Sequence, residues 1–508
     1  MQPFSLEKMI AEGEHEVKKL FEFVQQKADV LDSYKMEKSI LIMSMNICLA
    51  AMKLYFAARG TGDVGKTLQL DNRTVLKRDS QLRGKTLYTI FGKLLIPRTY
   101  YHAKGHKGVA SLDTETNLPK RRYSYFTQEL MNKCDIRDSF GESKITLSDI
   151  FGLEISQSCY ETVNRESSES RSAFYETKDI PDPTSEGEIS VIGFDGKGVP
   201  VIKSEAAKLK ARLGKGEKRQ KTKEATVGVS YSVDRNIRTP EKVAENLIFP
   251  EKAKKRKQEL IEKGKITPPI VKAKNILRDA SLERTRVDVM NEIITDAKKR
   301  NPLNERPWVV VMDGALCLWK AVAVCLGEIK WTGILDIIHV VEYLWKVGNS
   351  LYGEKTPESE KWVYKHLLSL LHGKVGYVIG GLKQTLKKRE EKLKDSQIKA
   401  LKVTIRYFEN HRQWMKYNQY LEKGYPIGSG IVESTCGLTV KKRMEGTGRR
   451  WSIKGAEAML RLRAVYTSND WLDYWNEHMR QEFISLYGRT LNTFQYPDDY
   501  YEVQKKAA

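Results

Sequence analysis

The sequence predicts an α/β domain with an all-α insertion, preceded by a mostly helical region that carries a small β-hairpin and a helix-turn-helix. Three observations predict it. Two short apolar runs, Val191-Ile192-Gly193-Phe194 and Trp308-Val309-Val310-Val311-Met312, each end on an aspartate and read as buried strands. The stretch 334–420 reads as almost entirely helical, with Lys/Glu-rich segments such as 382–402 suited to an exposed insertion. At the N-terminal end, Ile40, Leu41, Met43, Ile47, Leu49, Met52 and Leu54 make one broad apolar helix face.

The elements follow in order. Residues 1–60 form an N-terminal helical region. In a second region, 83–177, the stretch Thr86 to Tyr101 reads as a hairpin with Gly92-Lys93 at the turn. Leu147 to Ser156 then carries a helix-turn-helix pattern: a helix ends near Gly152, the turn is apolar, and Ser156 caps a second helix through Arg165. Such a unit either reads a DNA groove or is an ordinary helical hairpin. Lys178 to Gly187, with Pro181 and Pro183, is the linker. Residues 188–470 form the α/β domain, with its helical insertion over 340–420. In it, 188–194 and 199–202 pair around Asp195-Gly196-Lys197-Gly198, and 225–233 is a third strand. A helical excursion through 275–299 precedes the Asp313 strand, and 471–508 reads as a C-terminal tail.

Composition narrows the partners. The 508 residues hold 87 Lys and Arg against 65 Asp and Glu, a formal charge of +22 that favours a polyanion such as nucleic acid. No apolar run approaches the roughly 20 residues that cross a bilayer. The first residues lack the basic and apolar regions of a secretory signal. Six scattered cysteines without a CxxC pair fit reduced thiols in the cytoplasm.

The chemistry rests on three acids. Asp195 and Asp313 stand at strand ends, and Glu433 lies in Gly428-Ser429-Gly430-Ile431-Val432-Glu433-Ser434, the start of a helix. Two strand-end aspartates and a helix-borne glutamate can converge on a divalent-metal site, as RNase H-like enzymes build a phosphoryl-transfer centre. Two Mg²⁺ (or Mn²⁺) ions about 4 Å apart would need only such hard oxygen ligands. Gly196 and Gly314 would let DNA or metal-bound water approach the backbone. The alternative is a pair of turn aspartates and a surface glutamate. Asp336 and His339 share a helix face, either steadying the metal site, contacting DNA or forming a structural pair. Lys441, Lys442, Arg443, Arg449, Arg450 and Trp451 surround a Gly-Thr-Gly segment and could meet phosphates and a base, with Trp451 expected in the core. Residues 203–223, with Arg212, Lys218 and Arg219, and the run 252–265 are further basic segments, either phosphate contacts or solvated faces.

At these residues the chain resembles insertion-sequence transposases of the ISKra type, in the Mutator-like DDE group. The stretches that carry the resemblance are Gly193-Phe194-Asp195-Gly196, Val311-Met312-Asp313-Gly314-Ala315, Asp336-Ile337-Ile338-His339, Tyr425 to Glu433 and Arg443 to Trp451. It spans roughly 83–470. It implies an RNase H-like domain with Asp195, Asp313 and Glu433 as catalytic metal ligands, and metal-dependent cleavage and strand transfer at the element's own terminal repeats. The partners it implies are double-stranded DNA and at least a second copy of the chain, in the nucleoid-bearing cytoplasm. Relatives often carry paired cysteines after Tyr101; Tyr101 to Gly108 holds none here, so a metal-free hairpin is expected in place of a zinc ribbon. A nuclease without strand transfer, or a non-catalytic DNA-binding protein, are the rival readings.

Overall fold

The computed structural model describes residues 2–70, 74–209, 221–262, 271–446 and 448–488. The chain divides into two compact units, Met1–Thr177 with Asp470–Ala508, and Lys178–Asn469.

The first unit opens with two helices, Leu6–Lys27 and Ser33–Arg59, packed on each other. The side chain of Asp32 accepts the Lys35 amide at 2.8 Å and so starts the second helix. That helix, 27 residues long and with only Ala50, Phe56 and Ala57 fully buried, is long and apolar enough by length and composition to cross a membrane. Ser44, Asn46 and Lys53 interrupt any continuous apolar run, as the sequence predicts, while the average over the helix stays apolar, a property that core helices share. Strands β1 (Thr67–Gln69), β2 (Val75–Arg78), β5 (Tyr101–Ala103) and β6 (His106–Val109) form an antiparallel sheet in the order β1-β2-β5-β6. Strands β3 (Arg83–Thr89) and β4 (Gly92–Arg98) pair separately as a hairpin. Its turn falls at Ile90-Phe91, two residues earlier than expected, because Gly92 pairs with Thr89 and takes a φ of +131°.

Helices Tyr125–Arg137, Phe140–Phe151 and Gln157–Ser167 follow, around a core of Met131, Leu147, Leu153, Ile155, Tyr160 and Val163. Gly152 ends the middle helix in the left-handed conformation, where the sequence places the turn. The segment read as a tail is in part a helix, Trp471–Tyr487, which belongs to this unit. Its buried Trp471, Tyr474, Trp475 and His478 repeat at helical spacing, and Trp471 donates to Glu129 at 3.1 Å.

The second unit is built on a five-stranded sheet: β7 (Ile189–Pro200), β8 (Thr222–Val233), β9 (Lys274–Ser281), β10 (Trp308–Met312) and β11 (Trp331–Leu335), in the order β11-β10-β7-β8-β9. The β7-β8 and β8-β9 pairs are antiparallel, while β10 runs parallel to both β7 and β11. Residues 188–194 and 199–202 therefore do not fold back on each other. They lie along one strand that pairs with β8 from Ile189↔Val233 to Pro200↔Thr222, passing straight through Asp195-Gly196. A continuous buried partner strand outweighs the local turn preference of Asp-Gly. The helical excursion likewise begins later than expected, at Arg286, where Thr285 and Asp288 form a capping box; residues 274–281 are strand.

Helices Ile337–Tyr352, Pro357–Leu371, Val375–Arg389, Asp395–His411 and Tyr417–Glu422 fill most of the stretch 337–422. Leu344, Leu367, Leu370, Leu401 and Phe408 join them in one core with the sheet residues Val191, Val309 and Ile334. Tyr417 and Tyr420 donate their hydroxyls to the Leu335 and Gly333 carbonyls at 2.9 and 3.0 Å, occupying backbone groups of β11 at the sheet edge.

The buried His478 gives the first unit a pH dependence. Its ring is pushed down to about 4 by burial, with Ser170 Oγ at 3.0 Å from Nδ1. The unfolded chain takes up this proton near the ordinary histidine value of 6.5 and the folded chain does not, so stability falls as pH drops from 6.5 towards 4. The expected loss across that window is about 3 kcal/mol. Thermal melts of the wild type and His478→Gln check it: the variant's melting temperature should vary less with pH, and parallel curves would contradict this.

Candidate active site

Strand register brings three aspartates level. Val310 lies opposite Ile192 and Met312 opposite Leu335 in the two parallel pairs. Continuing each register to the strand ends sets Asp313 between Asp195 on β7 and Asp336 after β11. The Asp336 amide donating to the Met312 carbonyl at 2.9 Å holds that end of the array. The carboxyl of Asp313 is held above its ordinary range, first by burial and then by the charges of Asp195 and Asp336, against the pull of the Ala315 amide at 3.0 Å and of His339. Crowded carboxylates on adjacent parallel strands are a place where a cation would relieve repulsion.

Asp336 does not present itself to a ligand. It is buried, and its carboxylate accepts the Ile338 amide at 3.0 Å, the Ser429 amide at 3.2 Å and the Ser429 hydroxyl at 2.5 Å. The Ile337 amide adds a bond to the Ile427 carbonyl at 2.9 Å. Asp336 thus caps its own helix and ties down the loop from which the helix Gly430–Thr435 departs. That helix carries Glu433, whose side chain is exposed. Its partner in the sequence pattern, His339, is half-exposed: Nδ1 faces Glu342 at 3.1 Å, and Nε2 stands 4.0 Å from Asp336.

The Gly430–Thr435 helix reaches the sheet because Gly193 has no side chain. A Cβ there would sit 2.3 Å from a Val432 methyl. One turn past Glu433, the Cys436 thiol donates to Asp195 Oδ2 at 3.1 Å, while Asp195 Oδ1 accepts the Gly196 amide at 2.6 Å. Burial, then the Asp195 charge and this hydrogen bond, push the Cys436 thiol far up, so it is a neutral donor. The chain continues as a π-helical turn, Cys436–Lys441, a form that concentrates at functional sites. Cys436 went unnoticed in the sequence, although its place three residues after Glu433 was a usable signal.

The other two glycines correct an expectation. The space beside Gly314 is filled by Tyr407, whose ring would lie 2.3 Å from a Cβ, and the space beside Gly196 by the Glu224 carboxylate, 2.9 Å away. At both positions the missing side chain therefore makes room for a neighbouring residue of the chain itself. Tyr407 stacks on Tyr343 with ring centroids 3.9 Å apart, and His411 holds the Gly314 carbonyl at 2.8 Å. A helix of the insertion, Asp395–His411, therefore packs directly on the Asp313-Gly314 turn. Nothing local in the sequence marks Tyr407 or His411 for that role.

The basic segment is divided. Lys441, Lys442 and Arg450 are exposed. Arg443, expected among the cations offered to phosphate, is instead buried, its guanidinium 4.6 Å from the Trp451 ring. The Met444 carbonyl accepts the Trp451 indole, and Arg449 donates to the Arg443 carbonyl at 3.1 Å. Trp451 is buried, and its backbone bonds Pro200 and Ile202 at 3.0 and 2.9 Å, which pins the segment to the end of β7. An arginine stacked on an indole that must itself be buried gains more from desolvated contact than from solvent. Arg212, Lys218 and Arg219 lie outside the described residues.

The donor set matches a hard cation only in part. Asp195 and Asp313 supply paired carboxylate oxygens, but among the described residues no three His, Cys, Asp or Glu side chains are grouped closely enough to hold a metal ion. Glu433 is placed on the adjoining helix without joining the pair.

No family model matches the chain, and no curated protein matches it. Among solved structures it is similar to the Drosophila P element transposase strand transfer complex, at 9% identity and a TM-score of 0.25, over 78% of this chain and 89% of that one. A likeness this distant does not bear on residues or chemistry.

The Asp336 clamp makes a stability prediction. Asp336→Ala strands the buried Ser429 amide and hydroxyl and the part-buried Ile338 amide and should cost about 2–4 kcal/mol, whereas Ser429→Ala should cost about 1 kcal/mol. Urea unfolding of the two variants measures both; a loss under about 1 kcal/mol for Asp336→Ala would remove the clamp from the account.

Proposed function

We propose that the Lys178–Asn469 unit is an RNase H-like phosphoryl-transfer domain and that the chain is a DDE transposase of the ISKra type, cutting and joining DNA at the ends of its own element. The observation that carries this is the levelling of Asp195 and Asp313 on adjacent parallel strands, close enough that one charge lifts the other's carboxyl. Two further arrangements support it: the Glu433 helix seated over Gly193, and exposed Lys441, Lys442 and Arg450 on the same stretch of chain as Glu433.

In this reading Asp195 and Asp313, with Glu433 from the adjoining helix, would hold Mg²⁺ or Mn²⁺, which would supply activation of the attacking oxygen and stabilisation of the leaving one. The chain's own residues build the frame. Cys436 orients Asp195, Asp336 holds the loop that carries Glu433, and His411 with Tyr407 fixes the turn after Asp313. Water attacks the scissile phosphorus, the bond to the 3′-oxygen breaks, and the strand end leaves as a 3′-hydroxyl. That hydroxyl then attacks a phosphodiester of the target, displacing a second 3′-oxygen. Two element ends call for at least two copies of the chain.

The test uses full-length protein, Mg²⁺ and labelled DNA carrying the repeats that flank its gene, with Asp313→Asn alongside. Cleaved and joined products are expected from the wild type. The variant should bind DNA but lose at least about a hundredfold in product, since disturbing even an outer partner of a metal ligand costs ten- to a hundredfold. Equal cleavage by the variant would contradict the acid site. Cleavage without joining would make the protein a nuclease, and binding without chemistry in either protein a DNA-binding protein alone.

A further inference from the structure

The first unit contains a cleft of 790 Å³ between β3–β4 and the helix Gln157–Ser167. Five cations line it, Lys85, Arg98, Lys120, Arg121 and Arg122, against one carboxylate, Glu166. None of them belongs to the basic segments that the sequence singles out. We propose that this cleft seats a backbone phosphate of double-stranded DNA and so anchors the first unit on its duplex. This rests on the reading of the chain as a DNA-acting protein.

The internal pairing shows which cations are committed and which are left for a ligand. Arg121 grips Glu166 through two guanidinium nitrogens. Arg98 bonds Asp113, and Lys85 shares that carboxylate at 3.6 Å. These pairs fix the walls. Lys120 and Arg122 are exposed at the rim, without an ion pair among the described residues. Two rim cations on a frame of oriented guanidinium groups make a receptor for a phosphodiester.

Two titrating groups lie in the walls of the cleft. The Lys85 ammonium is pushed down by burial, which outweighs the pull of Asp113 and Glu482, with a smaller push from Arg98. For the Cys159 thiol, burial acts upward, but hydrogen bonds from Ser156 and Tyr123 and the charges of Arg121 and Arg122 outweigh it and bring the thiol below its ordinary range.

The placement suits a positioning role. Cys159 and Glu166 stand on the second helix of the helix-turn-helix, so the cleft borders the element that would enter a groove. Phosphate contacts set the register of such a helix, while its own side chains read bases. Gln157 and Ser158 are exposed at the start of that helix and offer a carboxamide and a hydroxyl, groups of the kind that read base edges.

The test measures the affinity of full-length protein for a labelled random-sequence duplex over a range of salt. It compares the wild type, Lys120→Ala/Arg122→Ala, the conservative Lys120→Arg/Arg122→Lys, and Lys387→Ala/Lys388→Ala, which removes the same charge elsewhere. Alkylation of Cys159 by iodoacetamide, followed by mass spectrometry, is measured with the duplex, with inorganic phosphate, or alone. The cleft variant should lose about one to two units of the slope of log affinity against log salt. The conservative and distant variants should keep the wild-type slope, and the duplex should protect Cys159. An unchanged slope in the cleft variant, with the wild type binding the duplex, would overturn this inference and leave the transposase reading standing. Protection by inorganic phosphate but not by the duplex would overturn it too, making the cleft a small-anion site. No duplex binding by any variant would overturn both.

Discussion

One buried carboxylate organises the second unit. Asp336 lies at the end of β11, where register with β10 sets it beside Asp313, and all its hydrogen bonds go to the chain itself. A buried carboxyl group is costly unless its oxygens are met by donors. Here the donors are the start of its own helix and both polar groups of Ser429, a residue far along the chain. Satisfying Asp336 therefore closes the insertion back onto the sheet and starts the Glu433 helix beside Asp195 and Asp313. The charge that the sequence offers as a possible ligand or DNA contact is spent on geometry.

The same economy runs through the rest of the site. Gly193, Gly196 and Gly314 each give up a side chain so that Val432, Glu224 and Tyr407 can come close. Trp319, Trp331 and Trp414 stack beside Gly333, joining the end of the insertion to β11, and the Trp319 indole also holds the Asp313 carbonyl at 2.8 Å. The insertion is packed against the strand ends that carry the acids, so the acids' positions depend on the helices between them in sequence. The π-helical turn after Glu433 and the Cys436 thiol on Asp195 show how closely the last helix is fitted.

Much of this was legible in the sequence, and the limits have physical causes. Apolar runs ending on an acid marked β7 and β10, since buried strands leave a continuous hydrophobic trace. The end of the helix Phe140–Phe151 is marked by Gly152, whereas Ser156, read as the cap of the next helix, stands at its start without bonding a backbone amide and meets Ser158 and Cys159 instead. The turn at Asp195-Gly196 was misjudged because turn preference is local, while the pairing that overrides it comes from β8. The helix Trp471–Tyr487 carries a helical aromatic spacing, yet residues 471–508 read as a tail. Arg443 reads as a phosphate-facing cation because sequence alone does not say that Trp451 covers it. Tyr407, His411 and the cleft cations Lys120 and Arg122 become meaningful only when distant segments meet.

The central claim is that Asp195 and Asp313, with Glu433, form one divalent-ion site. Titration of Mn²⁺ into the full-length protein, followed by electron paramagnetic resonance, tests it without any assumption about the DNA substrate. The account predicts uptake of Mn²⁺ that is abolished in Asp195→Asn and weakened in Glu433→Gln, while His478→Gln, in the other unit, binds as the wild type does. Equal uptake by the wild type and Asp195→Asn, or no uptake by the wild type, would contradict it.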